Sequence, residues 1–281
     1  MKKVNLHRAW ILAVLLLLLP PVASHATDDA SLVQTIGQGS VNWTDGTIEA
    51  KGIGAPPEKY YGKPNARALA MRAAKLDALR NVLEVINGVR VDSTTLVRDF
   101  TIESDLIRAE VEGMVRGAEQ VDLQYMSDGT VEVIMRVPLH GGFSQLVLPK
   151  DIQQVGTITT AAPPPEAAGV FTGLVVDARG LEARPAMAPK VLDEKGQEVY
   201  GSAFVSREFA VQQGMSGYAK ALESAMENER VTDNPLTVKG LKTEEPGRCD
   251  IVISNADAAR IRNASEHLSF MKKCRVMIVV D

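Results

Sequence analysis

Two Asp-Gly dipeptides, each between stretches of alternating apolar and polar residues, constrain the first half of the chain more than any other feature. In "SVNWTDGTIEAKG" Asp45-Gly46 separates two alternating runs, and in "VDLQYMSDGTVEVIMRVPL" Asp128-Gly129 does the same. Asp-Gly favours the tight turn of a β-hairpin, and a period of two places alternate side chains on one face of a strand. The sequence therefore predicts two β-hairpins, each with one buried face.

The segment between the hairpins has the periodicity of helices. Apolar residues recur every three or four positions between residues 65 and 86: Leu69, Ala73, Leu76, Leu79, Leu83 and Ile86. Pro64 and Gly88 are typical of helix ends. A second helix is predicted at 103–112, with Ile102, Leu106 and Ala109 on its apolar side, and a short strand at 89–91. This order predicts an α+β domain with helices packed on an antiparallel sheet.

A proline-rich segment divides the chain. In "TITTAAPPPEAAG", residues 157–169, three consecutive prolines stand among Ala and Thr. Proline has no amide hydrogen for a helix interior or a central strand, and runs of proline form extended spacers. We therefore predict two domains, 31–150 and 169–281, joined by a Pro/Ala-rich linker at 151–168.

The second domain is predicted to be α/β. The sequence indicates a buried strand at 174–176, a hairpin turning at 194–196 and a helix at 216–228. The clearest unit is the last: a strand at 250–253, a helix at 255–268 and a strand at 275–280. Short joints between such elements favour a parallel strand pair with a right-handed crossover, so we expect the domain to end in a βαβ unit.

The first 26 residues have the order of an export signal. Lys2, Lys3 and Arg8 precede eleven apolar residues at 9–19, and Ser24-His25-Ala26 supplies small residues where a signal peptidase cleaves. The apolar run is about half the roughly 20 residues that a membrane-spanning helix needs. We expect Sec-type cleavage after Ala26, with an uncleaved membrane tether as the alternative, and no integral membrane span in the mature chain.

The charge balance argues against two classes of partner. The chain has 31 Lys and Arg against 35 Asp and Glu, and losing three cations with the signal would change the net charge from −4 to −7. Neither nucleic acid nor an anionic lipid surface is favoured by this balance.

The two cysteines, Cys249 and Cys274, stand immediately before the last two predicted strands. If those strands are parallel neighbours, both thiols lie at one end of the sheet, and a disulfide could close a loop of about 25 residues. The alternative is two reduced cysteines in strands that are not adjacent. The pair lacks the spacing of zinc ligands, so no metal site is expected.

No catalytic, cofactor-binding or metal-binding residues are expected. "PLHGGF", containing His140, has the glycines of an oxyanion loop, but the chain has no G-x-S-x-G nucleophile motif. Asp177 and Arg179 follow a buried strand, where a carboxylate could be catalytic or could stabilise a turn. We favour the turn and treat a hydrolase acting through Asp177 as a minor alternative.

Tyr60 and Tyr61 lie in the Pro- and Gly-containing loop at 55–64. They could form an exposed aromatic patch that contacts a partner, or they could be buried against the first helix. The sequence leaves both readings open.

Several segments of the first domain resemble the LPP-twenty lipoprotein-like family, which is similar to the N-terminal domain of the flagellar assembly protein FlgT. The segments are "VNWTDGTIEAKGIGAPP", "ARALAMRAAKLDALRNVLEVINGVRVDSTT", "VEGMVRGAEQV" and "DGTVEVIMRVPL", and they span residues 40–140. The resemblance implies a noncatalytic periplasmic or outer-membrane-associated module. The lipoproteins of that family carry a lipid-bearing Cys after the signal, and this sequence has no Cys there.

We therefore expect an exported, noncatalytic envelope protein that acts as a structural or assembly module, with a flagellar role as the narrower expectation. Its expected partners are envelope or flagellar basal-body proteins, or further copies of the chain. The alternative is a periplasmic carrier that binds a small apolar ligand.

Overall fold

The structure is a computed structural model, and it describes residues 31–150, 152, 171–264 and 269–281. The export signal predicted at 1–26 and nearly all of the predicted linker lie outside these residues. The strands are β1 Val33–Ile36, β2 Gly39–Asn42, β3 Thr47–Gly54, β4 Glu119–Tyr125, β5 Val131–Pro138, β6 Gly173–Asp177, β7 Val191–Leu192, β8 Glu198–Tyr200, β9 Gly217–Ala219, β10 Pro235–Glu244, β11 Asp250–Ile253 and β12 Val276–Val279. The helices are α1 Ala66–Gly88, α2 Val97–Glu103, α3 Asp105–Arg116, α4 Gly142–Val147, α5 Arg207–Gln213, α6 Leu222–Met226, α7 Asn255–Ala264 and α8 Ser269–Lys272.

The first sheet is antiparallel throughout, with the strand order β1-β2-β3-β5-β4. Both predicted hairpins are confirmed, since β2 pairs with β3 and β4 pairs with β5. The alternation has its predicted effect in β3 and β5, where every second side chain is buried. The sheet thus has one face covered by helices and one polar face, on which Arg136 pairs with Glu49.

Helix α1 contacts the sheet mainly through small residues, and the predicted apolar stripe is confirmed only in part. Ile86 is buried and Leu79 and Leu83 are partly buried against the core, whereas Ala73 and Leu76 are exposed. Its buried residues are Ala70, Ala74, Ala78, Val82, Val85 and Ile86. A Cβ on Gly52 would lie 2.1 Å from the Ala78 backbone nitrogen, and one on Gly54 would lie 2.2 Å from the Ala70 carbonyl oxygen. Because glycine lets the two backbones approach, the alanine face packs, and Leu76 is left 60% exposed.

The second predicted helix is two helices, and its predicted apolar side is wrong. Ser104 separates α2 from α3, and its side chain accepts a hydrogen bond from the Ile107 amide. Helix α3 instead buries Val111 and Val115. Ile102, Leu106 and Ala109 are exposed, the first two by 72% and 69%.

The second sheet is mixed, with the order β8-β7-β11-β10-β6-β12-β9. The strand–helix–strand order at the C-terminus is confirmed, but the parallel pairing of β11 with β12 is wrong. Two strands, β10 and β6, lie between them. Because β10 is antiparallel to β11 and parallel to β6, which is parallel to β12, the two predicted neighbours run in opposite directions.

The helix predicted at 216–228 is wrong over its first part. Residues Gly217–Ala219 form β9, which pairs in parallel with β12, and only Leu222–Met226 are helical. All three residues of β9 are buried, although the strand lies at an edge of the sheet. This burial on both faces outweighs the helical spacing of Tyr218, Leu222 and Ala225 that predicted a helix.

The expected fold class is confirmed: an antiparallel sheet with helices is followed by a mixed sheet with helices. One cluster of buried apolar side chains includes residues of both sheets. Ile152, at the start of the predicted linker, is buried in that cluster. Among the described residues, no helix has both the length and the apolar character needed to cross a membrane.

Candidate functional site

An exposed group of aromatic and basic side chains lies at one end of the first sheet, and we call it the aromatic end. It consists of the half-buried Tyr60 and of exposed residues: Tyr61, Tyr125 and Met126 with the cations Lys59, Lys63 and Arg67. Strand β3 ends at Gly54, and a short 3₁₀ turn at Glu58–Tyr60 then leads to the first turn of α1. The β4–β5 turn, with Gly129 at φ +86°, comes to the same end of the sheet.

The aromatic end places its cations against its rings. The Lys59 and Lys63 ammonium groups lie 5.1 and 5.4 Å from the centre of the Tyr60 ring. The Arg67 guanidinium carbon lies 4.6 Å from the centre of the Tyr125 ring. Such cation–π contacts hold long side chains in place without neutralising their charge. The rings and cations therefore form a preformed, charged and apolar surface.

The aromatic end is concave. A cavity of about 550 Å³ opens between the Pro-rich loop and the β4–β5 turn, and Tyr61, Arg67 and Tyr125 are among its lining residues. Tyr61 is 58% exposed and Tyr125 is 45% exposed. Tyr61 is thus not buried against the helix, and of the two sequence readings the exposed patch describes its position.

Arg67, Tyr125 and Met126 were missed from the sequence. Each is ordinary in its own segment, and the β4–β5 turn is about 60 residues from the Tyr60 loop along the chain. Only the register of β3 with β5, in which Gly54 lies opposite Val131, brings the two segments together. A basic residue at the start of the helix that follows an aromatic loop was the signal that the sequence offered.

A second group lies where the two sheets meet. The Trp43 and Tyr218 rings form an edge-to-face pair with centres 5.6 Å apart, and the Thr44 hydroxyl donates to the Tyr218 carbonyl over 3.1 Å. A cleft of about 370 Å³ lies beside this pair, and His140 and Arg230 are among its lining residues. These contacts join β-hairpin residues of the first sheet to β9 of the second.

His140 is wedged between two glycines of this junction. A Cβ on Gly46 would lie 2.4 Å from its Nε2, and one on Gly214 would lie 2.8 Å from its Cε1. Its Nδ1 is buried and has no hydrogen-bond partner among the described residues. Burial, with a smaller contribution from the charge of Arg230, lowers the pKa of His140 to about 4. The imidazole is therefore neutral near pH 7.

Arg230 stabilises the end of a helix instead of pairing with a carboxylate. Its guanidinium donates to the carbonyls of Gly214 and Cys274 over 3.2 and 2.9 Å, and it also donates to the Gln213 carbonyl. Helix α5 ends at Gln213, so the cation meets the carbonyls that the helix leaves unpaired. Burial lowers the pKa of the guanidinium.

Asp177 and Arg179 form a turn. Arg179 donates to both carboxylate oxygens of Asp177 over 2.8 Å, and Gly180 follows at φ +76°. These hydrogen bonds lower the pKa of Asp177. A carboxylate held this way by its own neighbour is a poor proton acceptor, and this geometry is the turn that the sequence favoured.

Cys249 and Cys274 are both free and buried, so of the two possibilities the reduced pair describes the structure. They precede β11 and β12, which run in opposite directions with two strands between them, so the thiols lie at opposite ends of the sheet. Three strand spacings amount to roughly 14 Å, beyond the Cα separation of about 7 Å that a disulfide tolerates. Burial raises the pKa of each thiol to about 12.

Two further observations concern ligands. Within the described ranges, no group of three or more His, Cys, Asp or Glu could hold a metal ion. A mostly apolar cavity of about 460 Å³ lies between the end of α3 and the β5–α4 connection, with Met114, Val137 and Phe143 among its lining residues.

Comparison with known proteins gives a match for the second sheet and its helices. The family model described as Treponema pallidum Tp0624, second domain, matches residues 173–281, which is less than half of the chain. The match begins at the first residue of β6 and includes every strand of the second sheet. A search of curated proteins found no match. The chain is thus similar to that domain over these residues, and the description names no activity.

Proposed function

We propose that the chain is an exported, noncatalytic envelope protein that acts as a structural or assembly module, and that it contacts a partner through the aromatic end. The observation that carries this proposal is the exposure of Tyr61, Tyr125 and Met126 around one concave surface. Tyrosine, methionine and arginine are enriched in the buried centres of protein interfaces. The resemblance of residues 40–140 to the LPP-twenty family supports an envelope location. A role in flagellar assembly is a narrower version of the same proposal.

Two features support a binding surface over a purely structural one. The tyrosine rings are large and have few rotatable bonds, so ordering them on binding costs little entropy. Their cations are already held over them. The partner that this chemistry favours presents carboxylates beside apolar side chains, because those groups would meet the cations and the rings together.

Site-specific photocrosslinking in living cells tests the contact. A photoreactive amino acid at position 61 or 126 should give a covalent adduct with an envelope protein. The same amino acid at Lys195, exposed on the β7–β8 turn of the second sheet, provides the matched control. Equal crosslinking at all three positions would contradict the proposal.

Two variants sharpen this experiment. With the photoreactive group at position 126, Tyr61→Ala and Arg67→Glu should each reduce the adduct several-fold, because one removes a ring and the other reverses a charge. Cell fractionation and the intact mass of the purified protein test export, with Thr27 expected as the first residue. A full-length chain recovered from the cytoplasm would refute the envelope location.

The apolar cavity beside α3 favours one second candidate, a carrier of a small apolar ligand. Its volume of about 460 Å³ is within the range of small-molecule sites. Native mass spectrometry of protein purified without detergent should then show a bound mass. Ala118→Trp, which would fill the cavity, should remove it, whereas Tyr61→Ala should not.

A further inference from the structure

The three most exposed large apolar side chains of the described residues all belong to the helices of the first sheet. Leu76 of α1 is 60% exposed, Ile102 of α2 is 72% exposed and Leu106 of α3 is 69% exposed. Single exposed leucines are common on protein surfaces, but three strongly exposed apolar side chains on neighbouring helices are unusual enough to indicate a contact surface. This layer is distinct from the aromatic end.

The apolar residue of α1 lies between cations. Arg72 and Arg80 are exposed four residues before and after Leu76, so the three side chains form one stripe along the outer side of the helix. Neither arginine takes part in an ion pair within the described part of the chain. The stripe therefore presents two guanidiniums outside any close ion pair of the described residues, in a protein whose net charge is −4.

The apolar residues of α2 and α3 lie between carboxylates. Glu103 follows Ile102 directly, and Glu110 lies one helical turn after Leu106. Both are exposed, and within the described residues neither forms an ion pair, whereas the neighbouring Asp105 pairs with Arg108 at 3.3 Å. This α2–α3 junction therefore combines apolar side chains with uncompensated negative charge.

The two surfaces are complementary in charge and in apolar character, yet they do not meet within one chain. Helices α2 and α3 lie over the C-terminal part of α1, where the Thr101 hydroxyl donates to the Asn87 side chain over 3.3 Å. The Arg72–Leu76–Arg80 stripe lies further toward the N-terminus of the same helix. A helical layer that is positive at one end and negative at the other can pair with a copy of itself in the reverse orientation.

We propose that two copies of the chain associate through this helical layer, with the Arg72–Leu76–Arg80 stripe of each copy on the α2–α3 junction of the other. A two-fold axis makes the contact reciprocal, as in most homodimers. Each copy would then cover Leu76, Ile102 and Leu106 and would bring two carboxylates to two guanidiniums. The net charge of the chain opposes this contact little, since repulsion beyond about 8 Å is screened at physiological salt.

Paired charge reversal tests the proposal. The variants Arg72→Glu/Arg80→Glu and Glu103→Lys/Glu110→Lys should each weaken dimerisation about tenfold or more in sedimentation equilibrium, because each places like charges at both contacts. An equimolar mixture of the two variants should recover dimers, because the reversed stripe of one variant then meets the reversed junction of the other. All four positions are exposed, and circular dichroism confirms that the variants remain folded.

Several results would overturn the proposal. The wild-type protein could sediment as a monomer at low salt, or both variants could dimerise unchanged, or the mixture could stay monomeric. Binding of the wild type to vesicles of anionic phospholipid, lost in Arg72→Glu/Arg80→Glu without any dimer, would assign the stripe to lipid instead. If the wild type forms no dimer but still crosslinks to a partner at position 61, this inference is refuted and the proposed function remains intact.

Discussion

His140 illustrates how one residue can connect two parts of a protein without a hydrogen bond from its Nδ1. Its ring fills the space between Gly46, in the turn of the β2–β3 hairpin, and Gly214, after α5. Its neutral form packs there, whereas the charged form would face the buried guanidinium of Arg230 and would lose hydration. The residue therefore stabilises the junction only while it is unprotonated.

Acid should weaken the protein through His140. The pKa of His140 is about 4 in the folded chain and 6.5 as its ordinary value, so the unfolded chain takes up the proton first. The contribution of neutral His140 to the free energy of unfolding is fully present above pH 6.5 and is lost as the pH falls through 4. The total loss is at most about 3 kcal/mol. Urea unfolding of wild type and His140→Gln at pH 7, 5.5 and 4.5 measures this difference. A wild-type stability that falls no faster than that of the variant would contradict it.

At the scale of elements, the close contact between α1 and β3 determines how the long helix packs on the first sheet. Ala70, Ala74 and Ala78 lie over Gly52 and Gly54, and their short side chains allow the helix to approach the strand closely. Larger residues would separate the two backbones and reduce the dispersion contacts that a dense core supplies. The closeness also explains why the leucines of α1 lie at the margin of this contact.

Adding one methyl group at this contact should be costly. In Gly52→Ala the new Cβ would lie 2.1 Å from the Ala78 nitrogen, and backbone atoms cannot move aside as a flexible side chain does. We expect a loss of about 3 kcal/mol in the free energy of unfolding. Gly113→Ala is the matched control, because nothing lies within 4 Å of its Cβ position in α3. That variant should be stabilised by up to about 1 kcal/mol, and equal effects at the two sites would contradict the close contact.

At the scale of the whole molecule, the two sheets share one buried cluster. Backbone hydrogen bonds also join the connecting segments of the two halves: the Met187 and Ala188 amides donate to the carbonyls of Arg90 and Val91 over 3.0 and 2.8 Å. Residues 89–91, predicted as a strand, thus find partners in the second half of the chain as well as at Leu96. Shared burial of this kind makes unfolding of the two parts cooperative.

Removal of the largest ring at the junction should separate the two parts. Wild-type protein is expected to show one transition in differential scanning calorimetry. Trp43→Ala should lose about 3–5 kcal/mol, because Trp43 is 4% exposed and packs against Tyr218. Its transition should broaden or divide into two. Tyr61→Ala, at an exposed ring, should leave the single transition unchanged, and two transitions in the wild type would refute a shared core.

The sequence by itself determined what depends on neighbours along the chain. Asp45-Gly46 and Asp128-Gly129 specify two hairpins because few residues adopt those turns, and Asp177 with Arg179 makes its turn within three residues. The tertiary structure decided what depends on partners distant in sequence. The close approach at Gly52 and Gly54 determines that the alanine face of α1 is buried. Strands β10 and β6 lie between β11 and β12 and so separate Cys249 from Cys274. Turn conformation is a local energy, whereas strand order and the choice of buried helix face depend on which surfaces the whole chain can pack together.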